Sequence, residues 1–303
     1  MHAATITERA VTPAGEPLAL AHRAELEPLL AARWLPGEPP ERTLSDPWFA
    51  NLYLFRVAHD WRFLRGTYPC VAGRTYDGAC ILIPLFDLAS APHEALRARL
   101  QDHDAFAPLS DAQAARLDPS RFRLEHRRDD ADYLYPAENF LHYRGAALNK
   151  KRNLLKQLNA AHAVEAVPYT EALAGQAREV LNGWMRAKRK QPGETDDAAC
   201  MEALSLSGTL GLRGFLHRID GAPVGFVLAQ LIRPGVAVMR FAKGLDAFKG
   251  IYQHMFQHYC RATPDVHWLN FEQDLGLVNF RHTKMSYRPV ALLAKHRVTL
   301  REP

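Results

Sequence analysis

The stretch "VAVMRFAKGLDAFKGIYQHMFQHYCRATPDVHWLNFEQD", residues 236–274, decides the fold that this sequence predicts. The apolar run at 236–243 predicts a strand, and the spacing of apolar residues at 249–262 predicts a helix. A second apolar run at 266–271 predicts another strand, so the unit reads strand, loop, helix, strand. This alternation indicates an α/β (α+β) protein, in which helices cover the faces of a sheet.

Both halves of the chain share one order of predicted elements: helices, an antiparallel meander, then helix–strand alternation. In the second half, "DGAP" and "RPG" separate strands predicted at 213–219, 223–233 and 236–243. In the first half, Gly66 and "YDG" separate strands predicted at 61–66, 69–76 and 79–86. We therefore predict a duplicated unit, with domains at residues 1–140 and 141–303 and mixed, largely antiparallel sheets flanked by helices. One long strand at 288–299 is predicted to end the chain.

The composition excludes several classes of protein. Of the 303 residues, 48% are hydrophobic and 23% charged, which is typical of a globular protein with one or two domains. No apolar run approaches the roughly 20 residues that a membrane-spanning helix needs, and the N-terminus lacks the apolar region of a signal peptide. Four cysteines without a CxxC pair indicate a reducing compartment. We expect a cytoplasmic location.

Charge is distributed unevenly along the chain. Residues 1–138 hold 15 arginines, no lysine and 20 acidic residues, a net charge of −5. Residues 139–303 hold 14 arginines, all nine lysines and 13 acidic residues, a net charge of +10. This asymmetry favours a C-terminal half that binds an anion, although an arginine-rich genome would explain part of it.

Basic clusters in the second half suit phosphate groups. Lys150, Lys151, Arg152 and Asn153 lie on a helix predicted at 146–161, and "WMRAKRK" (184–190) adds a second cluster. Lys249 precedes the predicted helix at 249–262, whose N-terminal amides are a ready anion site. Clusters of this kind bind nucleic-acid backbones, but a single charge run is more often a solvated helix face.

Several catalytic chemistries have no support in the sequence. His254 and His258 lie one helical turn apart, but the glutamate of HExxH is absent and no further ligands are near in sequence, so we predict no metal. GxSxG, P-loop and dinucleotide motifs are also absent. A covalent serine or cysteine mechanism is therefore not expected.

The stretch "LNFEQDLGLVNFRHTKMSYRPV" (269–290) combines carboxylates with cations. Glu272 and Asp274 occupy alternate strand positions and so share one face. Arg281 and Lys284 lie one helical turn apart, where they can bind phosphates or an anionic acceptor. Structural alternatives stay open: Asp274 as a helix cap, a Glu272–Arg281 ion pair, and Tyr287 as a core residue.

Two segments together resemble the soluble catalytic domain of phosphatidylglycerol lysyltransferases. They are "ALNKKRNLLKQL" (147–158) and "LNFEQDLGLVNFRHTKMSYRPVALLAKH" (269–296), and "DPWFANLYLFR" (46–56) looks like the family's N-terminal helix. The resemblance implies two tandem GNAT-like folds and an acyltransferase that takes an amino acid from aminoacyl-tRNA. Phe271 departs from the family pattern, which often has arginine at that position.

The resemblance also implies roles for individual residues. Aminoacyl-tRNA is the expected co-substrate, with no cofactor, and the acceptor is a lipid, peptide or small molecule bearing an amine or hydroxyl. A peripheral contact with the inner face of the membrane is a further expectation. Catalytic residues are predicted as Glu272, Asp274 and Tyr287, substrate-binding residues as Asn270, Arg281, Lys284 and Lys243, and tRNA-binding residues as Lys150, Lys151, Arg152, Asn153 and Lys249. The two carboxylates are expected to bind the donor's ammonium group, or one of them to act as general base, and Tyr287 to protonate the leaving ribose oxygen.

Two alternatives stay open at this stage. In the first, the chain is an acyl-coenzyme A-dependent N-acyltransferase of the GNAT type, whose pyrophosphate loop would precede the helix at 249–262. That loop normally carries a second glycine, whereas Lys249-Gly250 is followed here by Ile251 and Tyr252. In the second, the chain is a non-catalytic RNA-binding module.

Overall fold

The computed structural model describes residues 15–302. Residues 1–14, on which the prediction about a signal peptide mainly rests, and Pro303 lie outside the described part. Within residues 15–302, no helix is both long enough and apolar enough to span a membrane.

The described residues form two sheets of seven strands each, with helices on their faces. The strands are β1 (Glu16–Pro17), β2 (Arg62–Leu64), β3 (Cys70–Arg74), β4 (Cys80–Pro84), β5 (Ala105–Leu109), β6 (Phe122–His126), β7 (Asp132–Pro136), β8 (Val164–Pro168), β9 (Leu212–Ile219), β10 (Ala222–Arg233), β11 (Val236–Gly244), β12 (Trp268–Asn270), β13 (Ala291–Leu293) and β14 (His296–Leu300). The helices are α1 (Arg23–Ala31), α2 (Phe49–Leu54), α3 (Arg56–His59), α4 (His93–Leu100), α5 (Asp111–Ala114), α6 (Glu138–His142), α7 (Asn149–Ala161), α8 (Ala174–Ala187), α9 (Asp197–Ser205), α10 (Ile251–Ala262) and α11 (Val278–Met285).

The two sheets repeat one plan, which confirms the predicted α+β fold class. In each, a three-stranded antiparallel meander is followed by a helix and then by a parallel strand. The meanders are β2–β3–β4 and β9–β10–β11, and the parallel pairs are β4–β5 and β11–β12. The tight turn between β9 and β10 uses Asp220 and Gly221, both with positive φ, as a two-residue hairpin of right-handed twist requires.

The two halves exchange strands. β7, from the first half, lies between β12 and β13 in the second sheet, and β14, at the C-terminus, lies between β5 and β6 in the first sheet. The predicted domain boundary between residues 140 and 141 stays a prediction. Each sheet contains one strand from the other side of this boundary. The single strand predicted at 288–299 is wrong, because Ala294 and Lys295 lie outside regular structure and separate β13 from β14, which belong to different sheets.

Side chains from both halves share one core. A hydrophobic cluster joins α1 and α2 to α8 and α9, and it includes Phe63 of the first sheet and Phe226 of the second. Phe55 stacks on Phe241 with ring centroids 6.3 Å apart. α2 and α3 therefore lie between the two sheets and connect the repeats.

Candidate active site

A cleft opens where α2 and α3 meet elements of both sheets. Its apolar lining includes Phe55, Trp61, Ile81, Ile83, Ala107 and Pro108. Its polar lining includes Asp46, Asp130, Glu272, Gln273, Lys295 and Arg297. The cleft therefore combines an apolar surface with a group of paired charges, the usual composition of a small-ligand site.

Glu272 enters this cleft from the loop after β12 and is held by a buried arginine. Its Oε1 lies 2.5 Å from Nη1 of Arg240, whose side chain is 1% exposed against 24% for Glu272. Arg240 also donates to Oε1 of Gln230 and to the carbonyl of Ser45. Among the described residues, no hydrogen-bond donor contacts Oε2 of Glu272, so one carboxylate oxygen is available to a ligand.

The backbone turns sharply at Glu272. This residue has φ +57°, a conformation that is uncommon for a non-glycine residue and is frequent at functional sites. Its N–H donates to Oδ1 of the fully buried Asn270 at 2.7 Å. The Nδ2 of Asn270 in turn donates to Asp132. Asn270, predicted to bind substrate, thus lies beneath Glu272 and positions it.

The environment of Glu272 shifts its acidity. Burial raises the pKa of Glu272 above its ordinary value, and the attraction of Arg240 and Lys284 only partly opposes this effect. A carboxylate with a raised pKa and a free oxygen in a cleft is a candidate general base.

Asp274, the second predicted catalytic carboxylate, is fully buried in a cluster of cations. Its Oδ2 accepts from Nη1 of Arg128 at 2.7 Å, from the Tyr133 hydroxyl at 2.5 Å and from Nε of Arg281 at 3.0 Å. Burial alone would raise the pKa of Asp274, but the hydrogen bonds from Arg281 and Tyr133 outweigh it and hold the pKa below its usual value. The catalytic role stays a prediction, and these contacts favour a structural one.

Arg281 resolves two of the structural alternatives. It pairs with Asp274 and, at 2.6 Å, with Asp129. The Glu272–Arg281 pair is therefore wrong, since Glu272 turns towards Arg240 instead. The predicted cap is also absent, because Asp274 accepts from the N–H of Gly276 and the residue preceding α11, Leu277, receives no side-chain cap.

Lys284 binds the backbone of the loop that carries Glu272 and Asp274. Its Nζ donates to the carbonyls of Phe271 at 2.6 Å, Gln273 at 2.5 Å and Glu272 at 3.2 Å. Burial lowers the pKa of Lys284 to about 8, a shift that the nearby carboxylate of Glu272 opposes. The predicted contact of Lys284 with a substrate stays a prediction, and in this structure its ammonium group holds the loop that presents Glu272.

Tyr287 lies away from the cleft, in an aromatic cluster on the α10 side of the second sheet. Its ring stacks on Phe140 at 5.3 Å, and its hydroxyl accepts from Nε2 of Gln253 at 2.7 Å. Burial raises the pKa of the Tyr287 hydroxyl above its usual value. These contacts agree with the alternative that Tyr287 is a core residue, and its predicted role as a proton donor stays a prediction.

Some of the predicted basic residues are exposed, and others form hydrogen bonds or ion pairs within the protein. Lys150, Asn153 and Lys249 are exposed. Arg152 donates to the carbonyl of Tyr143 at 2.6 Å, so it stabilises the turn before α7.

Lys243 is one of the paired residues. It is buried on β11, pairs with Asp196 at 2.6 Å and lies over the ring of Trp184. Its predicted contact with substrate stays a prediction.

A family match covers most of the chain. The sequence profile of the family described as phosphatidylglycerol lysyltransferase, C-terminal, matches residues 40–298. The chain belongs to this family. The resemblance carried by residues 147–158 and 269–296 is thereby confirmed, as is the prediction that this member of a transferase family is an enzyme of the acyltransferase class.

Solved structures share the fold of this lysyltransferase-family chain. A protein of unknown function from Bacteroides thetaiotaomicron has a TM-score of 0.76 at 21% identity, over 94% of this chain and 99% of that one. L-PGS from Bacillus licheniformis has a TM-score of 0.58 at 14% identity, over 94% and 93% of the two chains. FemX has a TM-score of 0.58 at 9% identity, over 92% and 96%. No curated protein sequence is significantly similar to the chain.

Sequence reasoning missed Arg240, which lies buried behind Glu272, and Lys295, which lines the cleft of this family member. Arg240, the ion-pair partner of Glu272, is an arginine within the otherwise apolar run "VAVMRFA", and this exception was a usable signal. Lys295 is buried and lies 2.5 Å from Asp46 and 2.7 Å from Asp132. Burial would lower the pKa of Lys295, but the two carboxylates outweigh it and raise the pKa. No sequence signal marked Lys295, because its partners are remote along the chain.

Proposed function

We propose that this protein transfers an aminoacyl group from the ester of an aminoacyl-tRNA to an amine or hydroxyl of an acceptor. The observation that carries the proposal is Glu272, whose carboxylate has a raised pKa, a buried arginine on one oxygen and a free oxygen in the cleft. The family match makes the chain a member of a transferase family. The donor, the acceptor and the role of Glu272 are part of the proposal.

The proposed reaction needs no covalent intermediate on the protein. The acceptor nitrogen or oxygen attacks the ester carbonyl, and Glu272 removes the proton from the attacking atom. When the tetrahedral adduct collapses, the bond to the ribose oxygen breaks and the proton returns to that oxygen. Because the ester is already activated, holding donor and acceptor together supplies a large part of the rate enhancement.

Carboxylates in the lining of the cleft suit the ammonium group of the aminoacyl donor. Asp46 pairs with Lys295, and Asp130 pairs with Arg297 at 3.1 Å. These pairs place two further carboxylates in the same cleft as Glu272, and each of them is balanced by a cation. An ammonium group entering the cleft would meet the carboxylates of Asp46, Asp130 and Glu272, and charge-assisted hydrogen bonds to them would hold it.

The exposed basic residues suit the phosphates of tRNA. Gly250, beside Lys249, packs against Leu154 and Leu158, so Lys249 lies next to the helix α7 that carries the first basic cluster. Lys188, at the end of α8, pairs with Asp246 just before α10 and brings the third basic segment to the same region. Basic segments on neighbouring elements would bind a structured RNA through its backbone.

The coenzyme A alternative is disfavoured by how α10 begins. Gly250 has φ +101°, and a Cβ built there would lie 2.3 Å from the carbonyl oxygen of Leu154. The backbone of α7 therefore lies against the turn where GNAT acetyltransferases hold the pyrophosphate. A carbonyl oxygen so close to this turn repels an anion.

The proposal is tested with ligands and then with turnover. We expect deacylated tRNA, and not acetyl-coenzyme A, to raise the melting temperature, and Lys150→Glu with Lys249→Glu to weaken tRNA binding and reduce its salt dependence. In a second experiment, the protein is incubated with labelled aminoacyl-tRNAs and, separately, with a lipid, a peptide or a metabolite fraction of a cell extract. We expect the label to move from the tRNA to a product in one of these fractions. Stabilisation by acetyl-coenzyme A alone would contradict the proposal, and tRNA binding without transfer to any fraction would favour an RNA-binding module.

A further inference from the structure

His59 lines the same cleft as Glu272, and the proposed function gives it no role. It is the last residue of α3 and lies outside the motifs at 46–56, 147–158 and 269–296. The next residue, Asp60, has φ +47°, so the chain turns sharply at the end of the helix. The histidine is 9% exposed. A nearly buried histidine in a cleft is a candidate for proton transfer.

The ring of His59 is fixed from several sides. Its centroid lies 4.5 Å from that of Tyr76, in an edge-to-face contact, and 5.2 Å from that of Trp61. A Cβ built on Gly73 of β3 would lie 2.7 Å from the carbonyl oxygen of His59, so this strand packs closely on the residue. Packing of this kind holds the imidazole in one orientation, as a group that transfers protons requires.

The two nitrogens of the His59 ring have different surroundings. Nδ1 lies 2.6 Å from the carbonyl oxygen of Arg74. Because a carbonyl oxygen only accepts, Nδ1 carries the hydrogen, and Nε2 carries the lone pair of the neutral ring. Within residues 15–302 no donor contacts Nε2, and Nε2 is not enclosed as both ring nitrogens of His217 are. Nε2 is therefore an accessible base on a residue that lines the cleft.

The surroundings of His59 keep this base unprotonated near neutral pH. Burial lowers the pKa of His59 below its ordinary value, and the Arg74 carbonyl and the charge of Asp46 only partly oppose the shift. Asp46 is itself paired with Lys295. Tyr76, the titratable side chain that contacts the ring, stays neutral because burial raises the pKa of its hydroxyl.

The number of protons that an acceptor loses depends on its chemical class. An amine is present in water at neutral pH mostly as an ammonium ion. It must lose one proton before its nitrogen can attack and a second proton after the attack, whereas a hydroxyl loses only one. Glu272 accounts for one proton. An amine acceptor therefore needs a second base, and His59 supplies one in the same cleft.

We propose that His59 is a second acid–base residue of the cleft and that the acceptor is an amine; this inference rests on the proposed function. Nε2 takes the first proton from the ammonium group and leaves a lone pair on the nitrogen. The nitrogen attacks the ester carbonyl, and Glu272 takes the second proton and gives it to the ribose oxygen as the carbon–oxygen bond breaks. The imidazolium then releases its proton to water, so one proton is set free for each amide formed.

The variant His59→Asn separates the roles of the two ring nitrogens. The asparagine NH2 group takes the place of Nδ1 and can donate to the Arg74 carbonyl, but nothing replaces Nε2. The measurement is transfer of label from aminoacyl-tRNA to the lipid, peptide or metabolite fraction that accepts it. At pH 7 we expect a loss of about a hundredfold or more, as for removal of a general base, with an unchanged melting temperature. A labelled product that is an ester would contradict the amine acceptor.

The pH profile distinguishes a base from a structural residue. Wild-type transfer should level off above the pKa values of His59 and Glu272, because both bases are then unprotonated. His59→Asn can use only acceptor molecules that are already deprotonated in water. Its rate should therefore rise up to the pKa of the amine, which is about 8 for an α-amino group and about 10 for a lysine. Full activity of His59→Asn, or a loss of the same size at every pH, would overturn the proposal.

The matched control is His103→Asn. Nδ1 of His103 also lies near a backbone carbonyl, that of Arg99 at 3.1 Å, but His103 does not line the cleft. This variant should transfer like the wild type at every pH. A loss equal to that of His59→Asn would mean that the effect is not specific to the cleft, and would overturn the proposal.

A chemical measurement needs neither tRNA nor transfer. Diethyl pyrocarbonate acylates accessible, unprotonated imidazole nitrogens. Peptide masses after treatment of the intact protein should show that His59 is modified and that the enclosed His217 is not. An unmodified His59 would overturn the proposal.

The outcomes separate this inference from the proposed function. A wild type that transfers no label to any fraction would contradict the proposed function and, with it, the role of His59. A wild type and a His59→Asn variant that transfer equally well would contradict the role of His59 alone.

Discussion

The ammonium nitrogen of Lys151 lies 3.9 Å from the centre of the Tyr287 ring. This contact joins the basic helix α7 to the segment after α11, two parts of the chain that carry separate family-like motifs. A cation over an aromatic face is attracted to it, and burial at this contact lowers the pKa of Lys151. The two motifs therefore meet on the side of the second sheet that α10 covers, while Glu272 lies in the cleft beside α2.

Replacing Glu272 tests the proposed base. In Glu272→Gln the amide oxygen can still accept from Arg240, so the fold should persist while kcat falls by about 10²–10⁴-fold. Because the base must be deprotonated and its pKa is raised, wild-type transfer should decline with falling pH at a higher pH than an ordinary glutamate would give. The control is Glu125→Gln, whose side chain is 62% exposed. Full activity of Glu272→Gln would show that Glu272 is not the general base.

Asp274 is expected to act through stability. Asp274→Ala leaves Arg281 and Arg128 without their buried partner, which should cost about 3–5 kcal/mol in the free energy of unfolding. Asp129→Ala removes a half-exposed partner of Arg281 and should cost no more than about 1 kcal/mol. Denaturant unfolding measures both. Equal values for the two variants would contradict the assignment of Asp274 as the centre of the cluster.

The close approach of α7 to α10 can be tested at a glycine. Gly250→Ala combines a left-handed backbone with a clash against the Leu154 carbonyl, and should cost at least about 2 kcal/mol. Gly193 has φ +86° and no heavy atom within 4 Å of a built Cβ, so Gly193→Ala measures the backbone strain alone. A free energy of unfolding that is the same in both variants would mean that α7 does not press on this turn.

Three histidines should make the protein sensitive to acid. His217 is fully buried, neither of its ring nitrogens has a partner among the described residues, and its ring centroid is 5.4 Å from that of His254 and 5.5 Å from that of His258. Burial lowers the pKa of His217 well below its usual value and the pKa of His254 to about 4. Below pH 6.5 the unfolded chain therefore binds more protons than the folded one, and stability falls from about pH 6.5 to about pH 4.

His217→Phe should reduce the dependence of stability on pH between pH 6.5 and pH 4. The substitution removes one titrating group and lessens the charge repulsion on His254 and His258. Melting temperatures between pH 7 and pH 4 measure the effect, and Glu125→Gln serves as a control away from the histidines. A slope unchanged from the wild type would mean that the buried histidine does not govern the acid response.

The local elements of the fold were predictable for physical reasons. Alternating apolar residues and the Asp220-Gly221 turn predict the β9–β10 hairpin, since the turn needs two residues that tolerate positive φ. The helix predicted at 249–262 is observed as α10, at 251–262, because its apolar residues recur at helical spacing. The exchange of β7 and β14 between the two sheets was not predictable, because the residues of a strand do not determine which sheet it joins.

The candidate site was predictable in part. Sequence alone marked Glu272, Asp274, Arg281 and Lys284 as a group, and the structure places all four in or beside one loop. It did not show that Glu272 alone among them lines the cleft, since that depends on Arg240 and on contacts across the sheets.

By itself, the sequence determined the order of helices and strands, the charge asymmetry and the family of this protein. These follow from local spacing, composition and motif, which act over a few residues at a time. Only the tertiary structure decided which carboxylate is buried among cations, which lines a cleft, and which apolar side chains stay exposed on α11. The reason is that burial and pairing join residues more than a hundred positions apart, as in the contact between Asp132 and Lys295.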